Sequence, residues 1–264
     1  MSDDNSARTP VNLLWTGGWD STYQLLQLLL IQRCPVMPFY LVDEGRPSRT
    51  VEIQTMDRIK DRLFEEYPHT RDLLGPVQYG AMEEIGPDTE ISEAYQAVLE
   101  KCSVGLQYEW LARFCKEQGI GDIQLCIHED DRAHQALEGT VVKSRNDGQT
   151  VFQVSDEFKN TPEYQLYRYY SFPLFVTSKK DMAAFSGSHG WDDIMTMTWF
   201  CHTPTPDLKP CGTCAPCLFT IEEGLGWRVP LKGRIKSLPQ RSQVQPLRSM
   251  VKSVMRKLSR EASG

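Results

Sequence analysis

The 264-residue sequence has no stretch that is long and apolar enough to cross a membrane. A membrane-spanning helix needs roughly 20 apolar residues in succession, and the longest candidate here, Leu25–Ile31, is far shorter. The first ten residues are polar and acidic, without the basic and apolar regions that form a secretory signal. We therefore expect a cytoplasmic protein that does not work in a membrane.

The sequence also lacks internal repeats, heptads and low-complexity tracts; instead, short apolar runs alternate with segments of helical spacing. Strands are predicted at Val11–Trp15, Val36–Val42 and Asp122–Ile127. Helices are predicted at Tyr23–Gln32, Arg49–Tyr67, Ser92–Gln118 with a break near Gly105, Ser178–His189 and Trp191–Met197. Strands that alternate with helices predict an α/β fold with a parallel sheet and helices on both of its faces.

The polar region 139–170 interrupts this alternation. It contains the sequence Asn146-Asp-Gly148, which is typical of the tight turn of a β-hairpin. A chain of this length can form one sizeable core with such additions. We interpret the region as an insertion built around a hairpin.

A glycine-rich segment, Thr16-Gly-Gly-Trp-Asp-Ser-Thr22, lies between the first predicted strand and the first predicted helix. Glycines let the backbone approach a ligand closely, and backbone N–H groups at the start of a helix bind phosphate. The segment lacks the lysine of the Walker A pattern and the third glycine of the dinucleotide fingerprint, so it is a different kind of phosphate loop. The alternative interpretation is a plain turn followed by a helix cap.

The eight cysteines divide into two groups. Four are scattered among apolar neighbours and are interpreted as small buried residues: Cys34, Cys102, Cys115 and Cys126. The other four are crowded into 17 positions: Cys201, Cys211, Cys214 and Cys217. Prolines and a glycine between them indicate a loop-built knuckle. Four such thiolates are typical of a structural zinc site, while an iron–sulfur cluster and redox disulfides are alternatives.

Taken together, the loop and the clustered cysteines resemble the 7-cyano-7-deazaguanine synthase family of N-type ATP pyrophosphatases. The loop is similar to the pyrophosphate loop (PP-loop) of that superfamily, and Trp199-Phe-Cys201 with Cys211-Gly-Thr-Cys-Ala-Pro-Cys217 is similar to the zinc knuckle of the family. The segments Phe172–Phe175 and Ser178–Asp181 also match. The resemblance implies a Rossmann-like fold of the adenine nucleotide alpha hydrolase type.

The same resemblance implies a role for each matching residue. Six loop residues would bind the phosphates of ATP and Mg²⁺: Thr16, Gly17, Gly18, Asp20, Ser21 and Thr22. Asp20 and Ser21 would be catalytic, together with Lys179, which matches a lysine of the family. Four residues would bind Zn²⁺: Cys201, Cys211, Cys214 and Cys217.

The implied organisation has four parts. They are a disordered N-terminus at 1–10, a PP-loop ATP-pyrophosphatase domain at 11–200 with the insertion at about 139–170, a zinc knuckle at 201–230 and a basic tail at 231–264. The tail contains nine Lys or Arg and one acidic residue, so it carries +8 and the rest of the chain −14. We predict either a solvated tail or a docking segment for a protein partner. Direct binding of nucleic acid is not expected, because the body of the protein is acidic.

The implied function is that of an ATP-dependent ligase. It would adenylate 7-carboxy-7-deazaguanine or a related acid and transfer the acyl group to ammonia, giving an amide and then a nitrile. A homodimer is also implied. Two alternatives are an amine of a protein or other partner as the acceptor, and a non-catalytic ATP- and zinc-binding interaction module.

The chain departs from the family where the family is expected to contact the nucleobase. Residues Asp43–Arg49 keep only a Gly-Arg pair of the family segment, and the family's Arg-Asn pair is missing from Ser103–Tyr108. The segment His128–Asp131 is a partial match; it is a candidate for magnesium or proton handling, or an acidic solvent loop. Phe219 and Thr220 stand where the family has an arginine. These differences predict an altered substrate pocket.

Overall fold

The computed structural model of this protein describes residues 9–146 and 149–240. Over those residues the chain folds into two compact units. The larger unit contains residues 9–45 and 52–199, and the smaller unit contains residues 46–51 and 200–240. Within the described ranges, no helix has the length and apolar composition that crossing a bilayer would require.

A five-stranded parallel sheet lies at the centre of the larger unit. The strands of the protein are β1 (Val11–Leu14), β2 (Val36–Val42), β3 (Gln78–Ala81), β4 (Ile123–Gln124), β5 (Val141–Asn146), β6 (Gln149–Val154) and β7 (Tyr170–Ser171). The parallel sheet has the order β3-β2-β1-β4-β7. Leu13 and Leu14 of β1 point to opposite sides and are both buried, so both faces of the sheet are covered. The predicted α/β fold with a parallel sheet is confirmed.

Ten α-helices are present within the described residues. They are α1 (Trp19–Leu26), α2 (Arg49–Glu66), α3 (Thr89–Lys101), α4 (Gln107–Gln118), α5 (Arg132–Leu137), α6 (Pro162–Tyr167), α7 (Lys179–Ser188), α8 (Asp192–Met197), α9 (Ala215–Thr220) and α10 (Leu231–Ser237). α1 continues as a π-helical turn at Gln27–Ile31. The pairs α1–α7, α1–α8 and α7–α8 are in contact, and α3, α4 and α6 contact one another around a core that includes Val98, Ala112 and Leu166.

Capping residues set several helix ends. Asp88 accepts a 3.0 Å hydrogen bond from the backbone N–H of Ile91 and so caps α3. α4 ends at Gly119, whose φ of +65° suits glycine. The break predicted near Gly105 is the gap between α3 and α4.

One predicted strand has the wrong length, and two strands of the sheet were not predicted. The strand predicted at Asp122–Ile127 is only two residues long, because the chain turns at Leu125, whose carbonyl accepts from the backbone N–H of Ile127. β3 was not predicted because it is a polar edge strand with no apolar run. β7 was not predicted because it has two residues and ends before Pro173.

The hairpin predicted in the region 139–170 is present. β5 and β6 pair antiparallel from Val141 opposite Val154 to Asn146 opposite Gln149. The turn residues 147 and 148 lie outside the described residues, as do residues 1–8 of the predicted N-terminus and 241–264 of the predicted basic tail. The described part of that tail forms α10 and a 3₁₀ turn at Leu238–Gln240.

Candidate functional sites

The glycine-rich segment Thr16–Thr22 leads from β1 into α1 at the carboxyl end of β1. Trp15, which follows β1, is fully buried, and its backbone N–H donates to the carbonyl of Phe39 in β2 at 2.9 Å. The loop therefore lies at the edge where parallel α/β sheets bind their ligands. Its predicted place between a strand and a helix is confirmed.

Gly17 fixes the path of the loop. Its φ is +67°, and a Cβ there would lie 3.2 Å from Met56 and 3.3 Å from Thr55 of α2. Its carbonyl accepts a 2.8 Å hydrogen bond from the backbone N–H of Trp199. The loop is thus held between α2 and the segment that follows α8, and glycine fits both the backbone angle and the space.

Two of the predicted phosphate-binding hydroxyls face the interior. Thr22 is fully buried, and its Oγ1 accepts a 3.1 Å hydrogen bond from Nε1 of Trp15. The Oγ of Ser21, also buried, accepts a long hydrogen bond of 3.5 Å from the backbone N–H of Thr16. These contacts give Ser21 and Thr22 a part in shaping the loop, and their contact with phosphate stays a prediction. Thr16 itself is exposed.

Asp20 lies in the first turn of α1, where the N-cap is Gly18 and no described side chain caps the helix. Its Oδ1 is buried without a hydrogen-bond partner among the described residues, and its Oδ2 lies 3.8 Å from Nε2 of His128. A buried polar atom without a partner is costly, and nearly all such atoms gain one from protein, water or a bound ion. Asp20 therefore fits a role as a ligand for Mg²⁺, which prefers carboxylate oxygens.

His128, on the loop after β4, is buried beside Asp20. Its Nδ1 accepts a 3.2 Å hydrogen bond from the backbone N–H of Asp130. A neutral imidazole whose Nδ1 accepts must have its proton on Nε2, and this assignment directs the ring N–H toward Asp20. At 3.8 Å, Nε2 of His128 and Oδ2 of Asp20 are too far apart for a hydrogen bond, so His128 can favour one orientation of the Asp20 carboxylate only by electrostatic attraction.

Lys179 is the first residue of α7, whose start is closed by a capping box of Ser178 and Asp181. Its backbone N–H donates to Oδ2 of Asp130 at 3.2 Å. Asp130 thus connects the start of α7 to the loop that contains His128. The predicted contact of the Lys179 side chain with phosphate stays a prediction.

Another acidic residue of the loop after β4 has a structural partner. Asp131 caps α5, since its side chain accepts a 2.9 Å hydrogen bond from the backbone N–H of Ala133. The backbone of Glu129 is held separately, by a 3.2 Å hydrogen bond to the carbonyl of Thr177. Asp131 is therefore engaged as a helix cap, whereas His128 faces Asp20 of the glycine-rich loop.

The four clustered cysteines converge in the smaller unit. Their Sγ atoms all lie within 4.8 Å of one another, with 3.8 Å between Cys201 and Cys214 and 3.9 Å between Cys211 and Cys217. Four sulfurs placed about 2.3 Å from one tetrahedral zinc ion are about 3.8 Å apart. None of the four forms a disulfide with another described residue. The group can therefore hold a metal ion such as zinc, and it consists of the four residues that the spacing predicts.

Backbone N–H groups around the cluster point at sulfur. Sγ of Cys211 accepts from the backbone N–H groups of Thr213 and Cys214, both at 3.3 Å, and Sγ of Cys201 accepts from the N–H of Cys211 at 3.2 Å. Such bonds stabilise a thiolate, the form that binds metal. Backbone N–H groups within the cluster thus favour negatively charged sulfur.

The pKa values of two thiols follow the same contacts. Burial alone would raise the pKa of Cys211, but hydrogen bonds from the Thr203 hydroxyl and from backbone N–H groups outweigh it and lower that pKa. The hydrogen bond with Cys201 lowers the pKa of Cys214. The same bond raises the pKa of Cys201, and a hydrogen bond with Cys201 raises that of Cys217. Cys211 and Cys214 are therefore the two thiols that favour the thiolate before a cation is considered.

Gly212 makes the turn that brings the cysteines together. Its φ is +82°, and a Cβ there would lie 2.4 Å from the backbone of Gly233 in α10. Real Cβ atoms do not approach backbone so closely, so this position admits only glycine. The knuckle therefore includes α10 as well as the loop that contains the cysteines.

Comparison with known proteins adds no identification. A scan against protein-family models finds no match for this sequence. A search of curated proteins also finds none. The geometry of the two sites is therefore the basis for assigning a function, and the resemblance drawn from the motifs remains an expectation.

Two contacts of the glycine-rich loop were not predicted. One is the backbone hydrogen bond between Gly17 and Trp199, and the other is the approach of His128 to Asp20. A hydrogen bond between two backbone groups does not depend on the residue types of either segment, so the sequence gives no sign of it. His128 had a signal, because it follows a predicted strand of the same sheet, but the sequence did not say which residue it would face.

Proposed function

We propose that this protein is an ATP-dependent enzyme that adenylates a carboxylate and releases pyrophosphate. The observation that carries the proposal is the Asp20 carboxylate, which lies in the first turn of α1, just after Gly17 and Gly18, and has a buried oxygen without a described partner. A phosphate loop needs N–H groups at a helix start and a carboxylate for its cation. The segment offers both at the carboxyl end of a parallel strand.

The chain's own groups would act mainly by electrostatic positioning. The positive end of α1 and the loop amides would bind the oxygens of the leaving pyrophosphate. Mg²⁺, held at Asp20, would screen the negative charge of the phosphates. His128 would keep the Asp20 carboxylate in one orientation through its Nε2–H. The buried hydroxyls of Ser21 and Thr22 would keep the loop in place.

The proposed reaction has two stages. An oxygen of the substrate carboxylate attacks the α-phosphorus of ATP, the bond from that phosphorus to the oxygen it shares with the β-phosphate breaks, and pyrophosphate leaves. Ammonia then attacks the acyl carbon, AMP leaves, and the nitrogen loses a proton to give an amide. In the family that the sequence resembles, a second ATP activates the amide oxygen, and loss of AMP and protons gives a nitrile.

Zinc at the four cysteines would have a structural role in this proposal. Four thiolates complete a tetrahedral shell and leave no position for substrate. The short sulfur–sulfur distances favour one ion over an iron–sulfur cluster, in which the four thiolates are divided among two or four iron atoms and cannot all lie so close together. We therefore propose Zn²⁺ as the metal.

The resemblance favours 7-carboxy-7-deazaguanine, or an acid related to it, as the substrate. The segments that differ from the family, including residues 43–49, are those expected to contact the base. A related acid is therefore as consistent with the sequence as the family substrate. A protein amine in place of ammonia would leave the adenylation stage unchanged.

The test is release of pyrophosphate and AMP from ATP by the full-length, zinc-loaded protein. The assay is run with 7-carboxy-7-deazaguanine, with a panel of other aromatic acids and without any acid. Asp20→Asn should lower the rate about 100- to 1000-fold, as removal of a key electrostatic group does. The matched control is Asp193→Asn, which changes an exposed carboxylate on α8.

Each result has a distinct meaning. Release that requires an acid and is lost in Asp20→Asn supports adenylation and identifies the substrate class. Binding of ATP without any release of pyrophosphate would contradict the proposal and favour the non-catalytic module.

A further inference from the structure

The helix α10 has an inverted arrangement of side chains. Its buried residues are Gly233 and Ser237, the smallest on the helix, while its large apolar residues face solvent. Leu231 is 65% exposed, Ile235 58% and Leu238, in the next turn, 47%. A helix of a soluble protein normally buries its apolar side. Leu231, Ile235 and Leu238, spaced four and three positions apart, thus form an apolar stripe that faces outward. This stripe needs an explanation.

Packing fixes this orientation. The backbones of Gly233 and Gly212 are in close contact, because a Cβ on Gly212 would lie 2.4 Å from the backbone of Gly233. A Cβ on Gly233 would lie 3.1 Å from the carbonyl of Cys211. Rotation of α10 to bury Leu231 or Ile235 would drive a large side chain into this backbone contact. The packing of the knuckle therefore keeps the apolar stripe exposed to solvent.

The surroundings of the stripe are basic. Residues 224–240 contain four Lys or Arg and no Asp or Glu, and Lys232 and Lys236 are exposed between the apolar positions. Trp227, which is 59% exposed, lies in the turn that precedes α10. Exposed tryptophan and aliphatic residues with charged neighbours are typical of the centre and rim of a protein interface. The α10 face is defined here as Leu231, Lys232, Ile235, Lys236 and Leu238.

Charge decides between possible occupants of the α10 face. Two copies of the face in contact would bring Lys232 and Lys236 of both chains together, and like charges at an interface are costly. The chain's own residues 241–264 are equally unsuitable, since they contain six Lys or Arg and one Glu. A membrane would match the charge, but two turns of helix offer too little apolar area for lasting attachment.

We propose that the α10 face is a docking surface for another protein, whose binding segment has an apolar ridge flanked by Asp and Glu. The apolar ridge would cover Leu231, Ile235 and Leu238, and the carboxylates would pair with Lys232 and Lys236. The inference does not depend on the proposed catalytic activity, because every group in it belongs to the smaller unit.

The test uses two synthetic helical peptides with the same leucine ridge, flanked by Glu in one and by Lys in the other. Binding to the full-length, zinc-loaded protein is measured by fluorescence anisotropy. The Glu peptide should bind and the Lys peptide should not. Ile235→Ser should weaken binding of the Glu peptide about tenfold or more, the effect of removing a central apolar contact. The charge reversal Lys232→Glu with Lys236→Glu should exchange the preference.

A matched control is Leu208→Ser, which removes an equally exposed leucine (50%) from the turn at 205–209 and should leave binding unchanged. Because all the substituted residues are exposed, each variant should keep its zinc, which is measured in parallel. Equal binding of both peptides, or an equal loss in Leu208→Ser, would overturn the proposal. Tight binding to phosphatidylserine vesicles without peptide preference would also overturn it, in favour of a membrane. Self-association that Ile235→Ser abolishes would overturn it in favour of a second copy.

Discussion

The two candidate sites differ in how much of each is encoded by neighbouring residues. The four cysteines lie within 17 positions, and the groups that support them, Gly212 and the N–H groups at Thr213 and Cys214, lie between the ligands. The glycine-rich loop is also short, but its support comes from Trp199 and His128, more than 100 residues away. A local site can be recognised from spacing alone, whereas a site assembled by the fold is only outlined by its motif.

Of the tests that separate the two sites, removal of the metal should have the largest effect. Structural zinc sites of this kind contribute about 10 kcal/mol or more, because the liganded fold does not form without the ion. We expect chelation, or Cys214→Ser, to remove hydrogen-exchange protection from α9 and α10 while β1 and β2 keep theirs. Protection of α9 and α10 that survives chelation would show that the knuckle is not a metal site.

A pair of glycine substitutions sharpens the comparison. Both Gly17 and Gly212 have positive φ, so alanine at either is strained by about 1–2 kcal/mol. Alanine at 212 also meets backbone at 2.4 Å, whereas alanine at 17 meets the side chains of Met56 and Thr55 at more than 3 Å. We expect Gly212→Ala to prevent folding of the knuckle and Gly17→Ala to lower mainly the affinity for ATP.

Thermal unfolding and ATP titration of the two glycine variants provide the measurements. Equal losses of stability in both would contradict the structural distinction between the two turns. Zinc content should fall in Gly212→Ala only.

His128 should have an intermediate effect. Loss of a group that orients a metal ligand typically weakens metal binding about 10- to 100-fold. We expect His128→Ala to raise the Mg²⁺ concentration needed for ATP binding by that factor, with partial recovery in His128→Gln, which keeps an N–H donor. His189→Gln, which changes an exposed histidine at the end of α7, is the control.

Nitrogen NMR of the imidazole adds a direct check of His128. In the neutral form of the ring, the account predicts the proton on Nε2. A proton on Nδ1, or an unchanged Mg²⁺ requirement in His128→Ala, would show that His128 does not orient Asp20. Neither result would contradict the proposal that Asp20 binds Mg²⁺.

Substitution of Asp88 should have the smallest effect. Its carboxylate accepts hydrogen bonds from Lys116 and from backbone N–H groups, whereas Oδ1 of Asp20 has no partner among the described residues. Burial would raise the pKa of Asp88, but hydrogen bonds from Lys116 and from the backbone of α3 outweigh it and lower that pKa. A lowered pKa means that the stabilisation is present at neutral pH and is lost as pH falls through the folded-state pKa. Asp88→Ala should cost about 1 kcal/mol at pH 7, the usual value of a helix cap.

Urea unfolding of Asp88→Ala and of the unmodified protein across pH 2–7 measures this effect. The difference between them should shrink toward acid. A constant difference at all pH values would show that the carboxylate charge does not contribute.

Much of the larger unit could be predicted, for physical reasons that the exceptions make clear. β2 has the predicted bounds because Val36–Val42 is a buried apolar run, and α2 begins at the predicted Arg49 because its apolar spacing is regular. β3 could not be predicted, since Gln78–Ala81 takes its strand form from pairing with β2. The outward side of α10 could not be predicted either, because it depends on the contact between Gly212 and Gly233.

The most direct test of the central claim follows the oxygen atoms of the substrate. The full-length, zinc-loaded protein is incubated with ATP and a carboxylic acid labelled with ¹⁸O in both carboxyl oxygens, starting with 7-carboxy-7-deazaguanine. Adenylation followed by transfer predicts AMP that contains one ¹⁸O per molecule, together with pyrophosphate. AMP without the label, or ADP and phosphate as the products, would contradict the account.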